Sequence, residues 1–325
     1  MSNKIAVFEQ KIQKTIDKVA LNKQSTTLFE PIGYMLSLGG KRLRPLLTLM
    51  AADLFDGNVA GVLESAMAVE LFHNFTLMHD DLMDRADVRR GHPAVHKKWN
   101  DNVAILSGDA MLIEAYRQLG KVPAEKLPTA LPLFSDMALD VCRGQQYDMD
   151  FEQRTDVTEE EYLAMIRLKT SVLLASSLKI GAVLADAPAA DADLLYEYGI
   201  NIGFAFQLKD DLLDVYGNPK TFGKKIGGDI LCNKKTYLLI KALRHSNKQQ
   251  REELDKWLSA TNFDPEVKIK AVTAIYNELN LKAISENLIE KYCLDSLRCL
   301  AAVNVPNEKK KELITLSESL IHREK

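Results

Sequence analysis

The stretch LMHDDLMD, residues 77–84, sets Asp80, Asp81 and Asp84 in an otherwise apolar run with no Lys or Arg among its eight residues. Like charges at helical spacing weaken a helix by roughly a few tenths of a kcal/mol, and Asp is itself a poor helix former. The same D-D-x-x-D spacing returns 130 positions later in QLKDDLLD, residues 207–214. One copy is a weak signal, whereas two in one chain are a strong one. Small clusters of hard oxygen ligands suit Mg²⁺, which keeps several waters and binds through one or two carboxylates plus substrate phosphates. Nothing in the chain has the Asp/Asn/Gly loop of a calcium-binding EF-hand.

If phosphate shares the metal, basic residues must surround it, and they occur in separate places. Lys41, Arg42 and Arg44 follow Gly39-Gly40, Arg89 and Arg90 stand just past the first acidic motif, and Lys169-Thr170 precedes an apolar run. Directly after the second acidic motif, YGNPKTFGKKIGGDILCNKK (216–235) carries four glycines and five lysines, among them Lys224, Lys225, Lys234 and Lys235. Too irregular to be helical throughout and too basic to be only a spacer, it reads as a lid over something anionic. Two acidic and four basic clusters argue for a site that holds two polyphosphate groups.

The elements that must position these residues read as helices. Apolar residues recur at three- and four-residue steps, as in Leu71, Phe75, Met78, Leu82 and in Leu208, Leu212, Val215, while alternating β-branched stretches are nearly absent. Gly39-Gly40 and Pro45 predict a helix opening near residue 43, with the proline in its first turn. Asp80 and Asp84 would share one helix face, about 6 Å apart along the axis, and that face extends to His73 and Asp87. In the second copy Gln207, Asp210 and Asp214 would share a face opposite the apolar one.

Apart from the twin acidic motif there is no repeat, no low-complexity tract and no interdomain linker, so residues 1–325 read as a single all-α domain of roughly ten or more helices, given mean helix lengths of ~11–12 residues. The 46% hydrophobic content fits a soluble globular chain, and a net charge of −3 gives no basic field for nucleic acid. No apolar run approaches the ~18 residues of a membrane span. The start, MSNKIAVFEQ, lacks a secretory signal, and the four cysteines show no zinc-ligand spacing. These features predict a cytoplasmic protein with reduced thiols.

Taken in order, GGKRLRP, LFHNFTLMHDDLMD, RRGHPAVH, SGDAML, GQQYD, LKTS, FQLKDDLLD and GKKIGGDI followed by KKT resemble the motifs of the trans-isoprenyl diphosphate synthases over nearly the whole chain. The resemblance implies an all-α isoprenoid-synthase bundle with a central cavity flanked by two aspartate-rich helices. It implies that an allylic diphosphate and isopentenyl diphosphate condense head-to-tail with about three Mg²⁺ ions, usually in a homodimer. Asp80, Asp84 and Asp210 are then the principal Mg²⁺ ligands, with Asp81, Asp211 and Asp214 as further or outer ones. Arg89, Lys169, Gln207, Lys234 and a lid lysine would hold the allylic diphosphate, with Thr170 near the forming cation. Either Lys224 or Lys225 matches the lid position. Lys41, Arg44, His73 and Arg90 would hold isopentenyl diphosphate.

Phe75, five residues before Asp80, lies about 7.5 Å up the helix. In the family an aromatic near this position forms a floor that stops elongation at C15 or C20, and Thr76 beside it adds little obstruction. Two residues commonly inserted in the first acidic motif of bacterial farnesyl synthases are missing here, which makes geranylgeranyl comparable to farnesyl as product. The rival readings are a longer-chain synthase, a terpene cyclase and a non-catalytic partner subunit. A second D-D-x-x-D followed by a lysine lid, together with intact basic elements, argues against the last two.

Overall fold

The computed structural model describes residues 3–20, 27–218 and 226–321. The architecture is all-α. In chain order the helices among the described residues are α1 (Asn3–Ala20), α2 (Glu30–Ser37), α3 (Leu43–Leu54), α4 (Val59–Met83), α5 (Val95–Lys98), α6 (Asp101–Leu119), α7 (Leu127–Glu152) and α8 (Glu159–Ile166). A five-residue π-helical segment, Arg167–Ser171, leads into α9 (Val172–Leu184) and α10 (Ala189–Tyr216). The chain continues through α11 (Gly228–Leu231), α12 (Tyr237–His245), α13 (Lys248–Ser259), α14 (Pro265–Glu278), α15 (Leu281–Ala302) and α16 (Asn307–Ile321). The one sheet among the described residues is a hairpin of β1 (Val88–Arg89) and β2 (His92–Pro93), with Arg89 opposite His92.

The chain divides into two compact units. The first comprises Met1–Ala138, Leu173–Tyr196 and Ala302–Leu313, and the second Leu139–Val172, Glu197–Ala301 and Ile314–Lys325.

Helix α4 organises the first unit. Its N-terminus is fixed by the Asn58 side chain, which accepts from the Ala60 N–H. Val62, Ala66, Met67, Val69, Leu71, Phe72 and Met78 are all buried, so α4 is apolar on several sides, as a central helix must be. Each large side chain contributes about 1.5–3 kcal/mol by leaving water. Helices α3 and α6 pack on it. As the two glycines and Pro45 predict, α3 begins at Leu43 with the proline third. One expectation fails here. Helix α4 ends at Met83, with Asp84 as its C-cap, and Asp87 lies beyond the helix, paired with Lys97 at 2.8 Å. Arg85, at φ +53°, turns the chain away before the face can extend to Asp87.

The second unit carries the other acidic motif on the C-terminal half of α10. Helix α8 is opened by a reciprocal capping box of Thr158 and Glu161. The π segment that follows replaces the α-helix expected around Lys169. It lies against Gly144 of α7, where a Cβ would overlap the Lys169 backbone, and against Gly203 of α10, where one would overlap Ser171.

Candidate active site

In the first unit, α3, α4 and the hairpin bring one set of charged residues together. Arg89, half-buried in β1, grips Asp81: its Nε donates to both carboxylate oxygens at 2.9 and 3.0 Å and its Nη2 to Oδ1 at 2.5 Å. Nη2 also lies 3.7 Å from Asp80 Oδ2. Asp81 is 2% exposed, and burial pushes its carboxyl up even though Arg89 pulls it down. Asp80 keeps a side chain 22% exposed, and Asp84 is exposed at the helix end. The first motif thus divides into one buried carboxylate gripped by Arg89 and two more accessible ones.

His73, two turns before Asp80 on α4, titrates well below its ordinary range. Burial is the first cause, followed by the fields of Arg44, Arg90, Arg89 and Arg42. Burial and the fields of four guanidiniums together keep the imidazole neutral. Burial and Arg90 lower the Arg44 pKa to about 10, against the opposing pull of Glu70, and the Arg44 Nε is buried with no partner. A buried donor without an acceptor costs about 1–3 kcal/mol, and the local excess of positive charge is what an anion would relieve. Arg90 sits in the hairpin turn at φ +52°, donates to the Gly39 carbonyl oxygen, and packs so close to Gly40 that a Cβ there would be 2.8 Å from its Cζ. Lys41 is exposed just ahead of α3. Arg42 has a structural task instead. In the left-handed region at φ +45°, it pairs with the buried Glu70 at 2.6 Å and donates to the Leu36 carbonyl oxygen.

In the second unit, Asp211 and Asp214 of α10 are buried while Asp210 is partly exposed. Asp211 accepts from Tyr162 Oη at 2.5 Å and from Gln207 Nε2 at 2.9 Å, and Gln207 Oε1 accepts from Thr170 Oγ1 at 3.1 Å. Asp214 accepts from the Asp229 N–H at 3.0 Å. Lys169, on the π segment, donates to Asp148 Oδ2 at 2.5 Å, and Lys234 lies 3.4 Å from the same oxygen. Burial pushes the Asp148 carboxyl up, but the two ammonium groups win and hold it below its ordinary value. Asp211 and Asp229 go the other way. Burial raises both, Asp210 adds to the shift at Asp211, and Asp211, Asp214 and Asp210 add to it at Asp229.

Asp148, Tyr162 and Asp229 are site residues that the motif reading passed over. Asp148 closes GQQYD and Asp229 is the aspartate of GKKIGGDI, so both stood within recognised motifs. Tyr162 had no signal, because its partner lies 49 residues away. Lys224 and Lys225 lie outside the described residues. Phe75 is 8% exposed within the apolar interior of the first unit, and the Thr76 hydroxyl is turned back onto the His73 carbonyl oxygen at 2.8 Å.

The donor sets fit Mg²⁺. Among the described residues no three His, Cys, Asp or Glu side chains close into a cage of their own. A magnesium site does not require one, since it binds through one or two carboxylates and completes its shell with water and phosphate oxygens. Asp80 and Asp84 offer two such accessible carboxylates, and the crowded acids around Asp210 carry negative charge that a cation would neutralise.

A profile of the family described as Polyprenyl synthetase matches residues 25–276. A geranylgeranyl diphosphate synthase of Methanosarcina mazei is 44% identical over 233 residues, 71% of this chain and 72% of that one. A geranylfarnesyl diphosphate synthase of Natronomonas pharaonis is 40% identical over 66% of this chain and 68% of its own. A crystal structure of a geranylgeranyl pyrophosphate synthase superposes with a TM-score of 0.94 at 42% identity, covering 99% of each chain.

Proposed function

The chain belongs to the polyprenyl synthetase family and is a short-chain prenyltransferase; from that premise we propose that it condenses isopentenyl diphosphate with an allylic diphosphate to make geranylgeranyl diphosphate. The observation that carries this reading is the buried, unpartnered Nε of Arg44 in the field of Arg90, with Arg90 folded against Gly39 and Arg89 bound to Asp81.

In this reading Arg44, Arg90, His73 and Lys41 hold the diphosphate of isopentenyl diphosphate. Relief of the repulsion between Arg44 and Arg90 makes binding favourable. Asp80, Asp84 and Asp210 would ligate Mg²⁺, with Asp81, Asp211 and Asp214 as the outer carboxylates that their own partners orient. When bound, Mg²⁺ supplies Lewis-acid stabilisation of the diphosphate leaving group. Arg89 would take part in binding the allylic diphosphate, as would Lys169, Lys234 and Gln207, and Asp148 holds both lysines in place. As the C–O bond breaks, the Thr170 hydroxyl would lie near the forming allylic cation. The double bond of isopentenyl diphosphate then attacks, and the proton lost from the adduct passes to the released diphosphate. No protein nucleophile takes part.

Phe75 would form the floor against which the tail stops. The apolar row Ile105, Leu106 and Ile113 on α6, 42%, 60% and 62% exposed, supports a homodimer. We assign the protein to the cytoplasm, as unpaired thiols at Cys142, Cys293 and Cys299 suit a reducing compartment. Among the described residues no helix is long and apolar enough to cross a membrane.

The test is incubation with isopentenyl diphosphate, Mg²⁺ and dimethylallyl, geranyl or farnesyl diphosphate, followed by chromatography of the dephosphorylated products. Geranylgeraniol as the main product, lost on adding EDTA, is the expected result. A C25 or longer main product, a cyclic hydrocarbon or no turnover would overturn it. A single subunit mass in light scattering would overturn the dimer.

A further inference from the structure

The Phe75 ring is held from both sides along α4. Phe72, one turn before, lies with its ring centroid 5.6 Å away, and His79, one turn after, meets it edge to face at 4.8 Å and 67°. The row continues from Phe72 to Phe134 of α7 at 5.7 Å and on to Tyr116 of α6 at 5.1 Å. At its other end His79 is fixed to α6. Its Nε2 lies 3.2 Å from the Ile105 carbonyl oxygen, and since a carbonyl only accepts, that nitrogen carries the hydrogen. The imidazole occupies the space above Gly108, where a Cβ would overlap Nε2 and Cδ2. Helix α6 therefore supports the ring through a missing side chain at 108 and a carbonyl at 105.

A phenylalanine on a helix has two accessible χ1 settings, both leaning toward the preceding turn. The ring one turn later lies edge to face against Phe75, so Phe75 cannot move into the space it fills unless that ring moves first. We propose that His79, seated by Gly108, is a specificity-determining residue that limits product length by clamping Phe75. The inference rests on the reading of Phe75 as the floor of the tail channel. His79 need not touch the prenyl tail, because it acts through Phe75, so its effect does not follow its own volume. Emptying its position and evicting it from its seat must have the same consequence.

The test compares product distributions of the full-length enzyme and its Phe75→Ala, His79→Ala, His79→Gln and Gly108→Ala variants, with isopentenyl diphosphate, farnesyl diphosphate and Mg²⁺. Phe75→Ala reports on the floor itself and lengthens the products. His79→Ala raises the proportion of products one or more isoprene units longer by about two- to tenfold, the range that an edge-to-face ring pair contributes. His79→Gln keeps a donor for the Ile105 carbonyl but no ring, and matches the alanine variant. Gly108→Ala adds volume yet also lengthens the products, since it drives the imidazole off its seat. Because the readout is a ratio of products, a slower or less stable variant still reports. Lengthening by Phe75→Ala with an unchanged distribution in both His79 variants would overturn the clamp and leave the floor standing. Shorter products from Gly108→Ala would also overturn it, by showing that this position lines the channel directly. An unchanged distribution in Phe75→Ala would remove the floor and the clamp together.

Discussion

Asp81 is bound to Arg89 through three hydrogen bonds between two side chains eight residues apart, across the end of α4 and the start of the hairpin. The pair makes one acid of the motif the support for a cation.

Removing that support should cost both stability and rate. Breaking a buried ion pair by deleting one partner costs about 3–5 kcal/mol, and Asp81→Ala is expected to lose an amount near the lower end because Arg89 is partly exposed. A misplaced Arg89 should lower kcat/KM for the allylic diphosphate by about 100-fold. The check is a double-mutant cycle in which Asp81→Ala adds little to Arg89→Ala. Additive losses would mean that the two act separately.

Gly144→Ala introduces a methyl where the Lys169 backbone passes. Overpacking of this kind costs about 1–3 kcal/mol, and because the displaced segment carries Lys169 and Thr170, kcat should fall with it. Gly61→Ala, near the N-terminus of α4 with only Asn58 atoms nearby, is the control and should be neutral or stabilising by up to about 1 kcal/mol. Urea denaturation and steady-state kinetics of both variants decide the matter.

Lys268 is 1% exposed, yet its ammonium donates to Asn233 Oδ1 at 2.7 Å and to the Leu231 carbonyl oxygen at 3.3 Å, over the Phe263 ring. It thereby pins the turn between Asp229 and Lys234, in which Asn233 takes φ +54°. Lys268→Met leaves those acceptors without a donor and should raise KM for the allylic diphosphate about tenfold, the effect of one charge-assisted bond, with KM for isopentenyl diphosphate unchanged. Lys268→Arg should restore part of the loss. Equal effects on both substrates would contradict a role through Lys234.

His73 gives the stability a sign with pH. Folding holds its imidazole well below the ordinary 6.5, by burial and by the fields of Arg44, Arg90, Arg89 and Arg42. The unfolded chain therefore takes up a proton that the folded one refuses, and stability should decline as pH falls below about 6.5. Denaturation midpoints at pH 7.5 and 5.5 should differ less in His73→Gln than in the parent. An equal difference would show that other groups set the slope.

Both acidic helices and the basic opening of α3 were legible in the sequence, because acid and apolar residues each keep helical spacing and Gly-Gly before Pro marks a helix start. The limits of the face were not. Asp87 was assigned to α4 by extending a period that stops at Met83, where Arg85 adopts a left-handed backbone. The basic cluster itself does not tell Arg42 from Arg44; the family resemblance left Arg42 out of the site, and its task is set by the buried Glu70, 28 residues away. The π turn under Lys169 depends on the close approach of Gly144 and Gly203, which no local pattern encodes.

The end of α4 at Met83 has an evolutionary corollary. Phe75, His79 and Asp80 all lie in uninterrupted helix, so their mutual register is fixed by the 1.5 Å rise per residue. Residues inserted around Met83 would lengthen only the passage to the hairpin, altering how Asp84 is presented while leaving the aromatic row undisturbed. Drift in the row that meets the tail therefore has to pass through single-residue replacement, since any insertion or deletion between Phe75 and Asp80 would rotate one against the other.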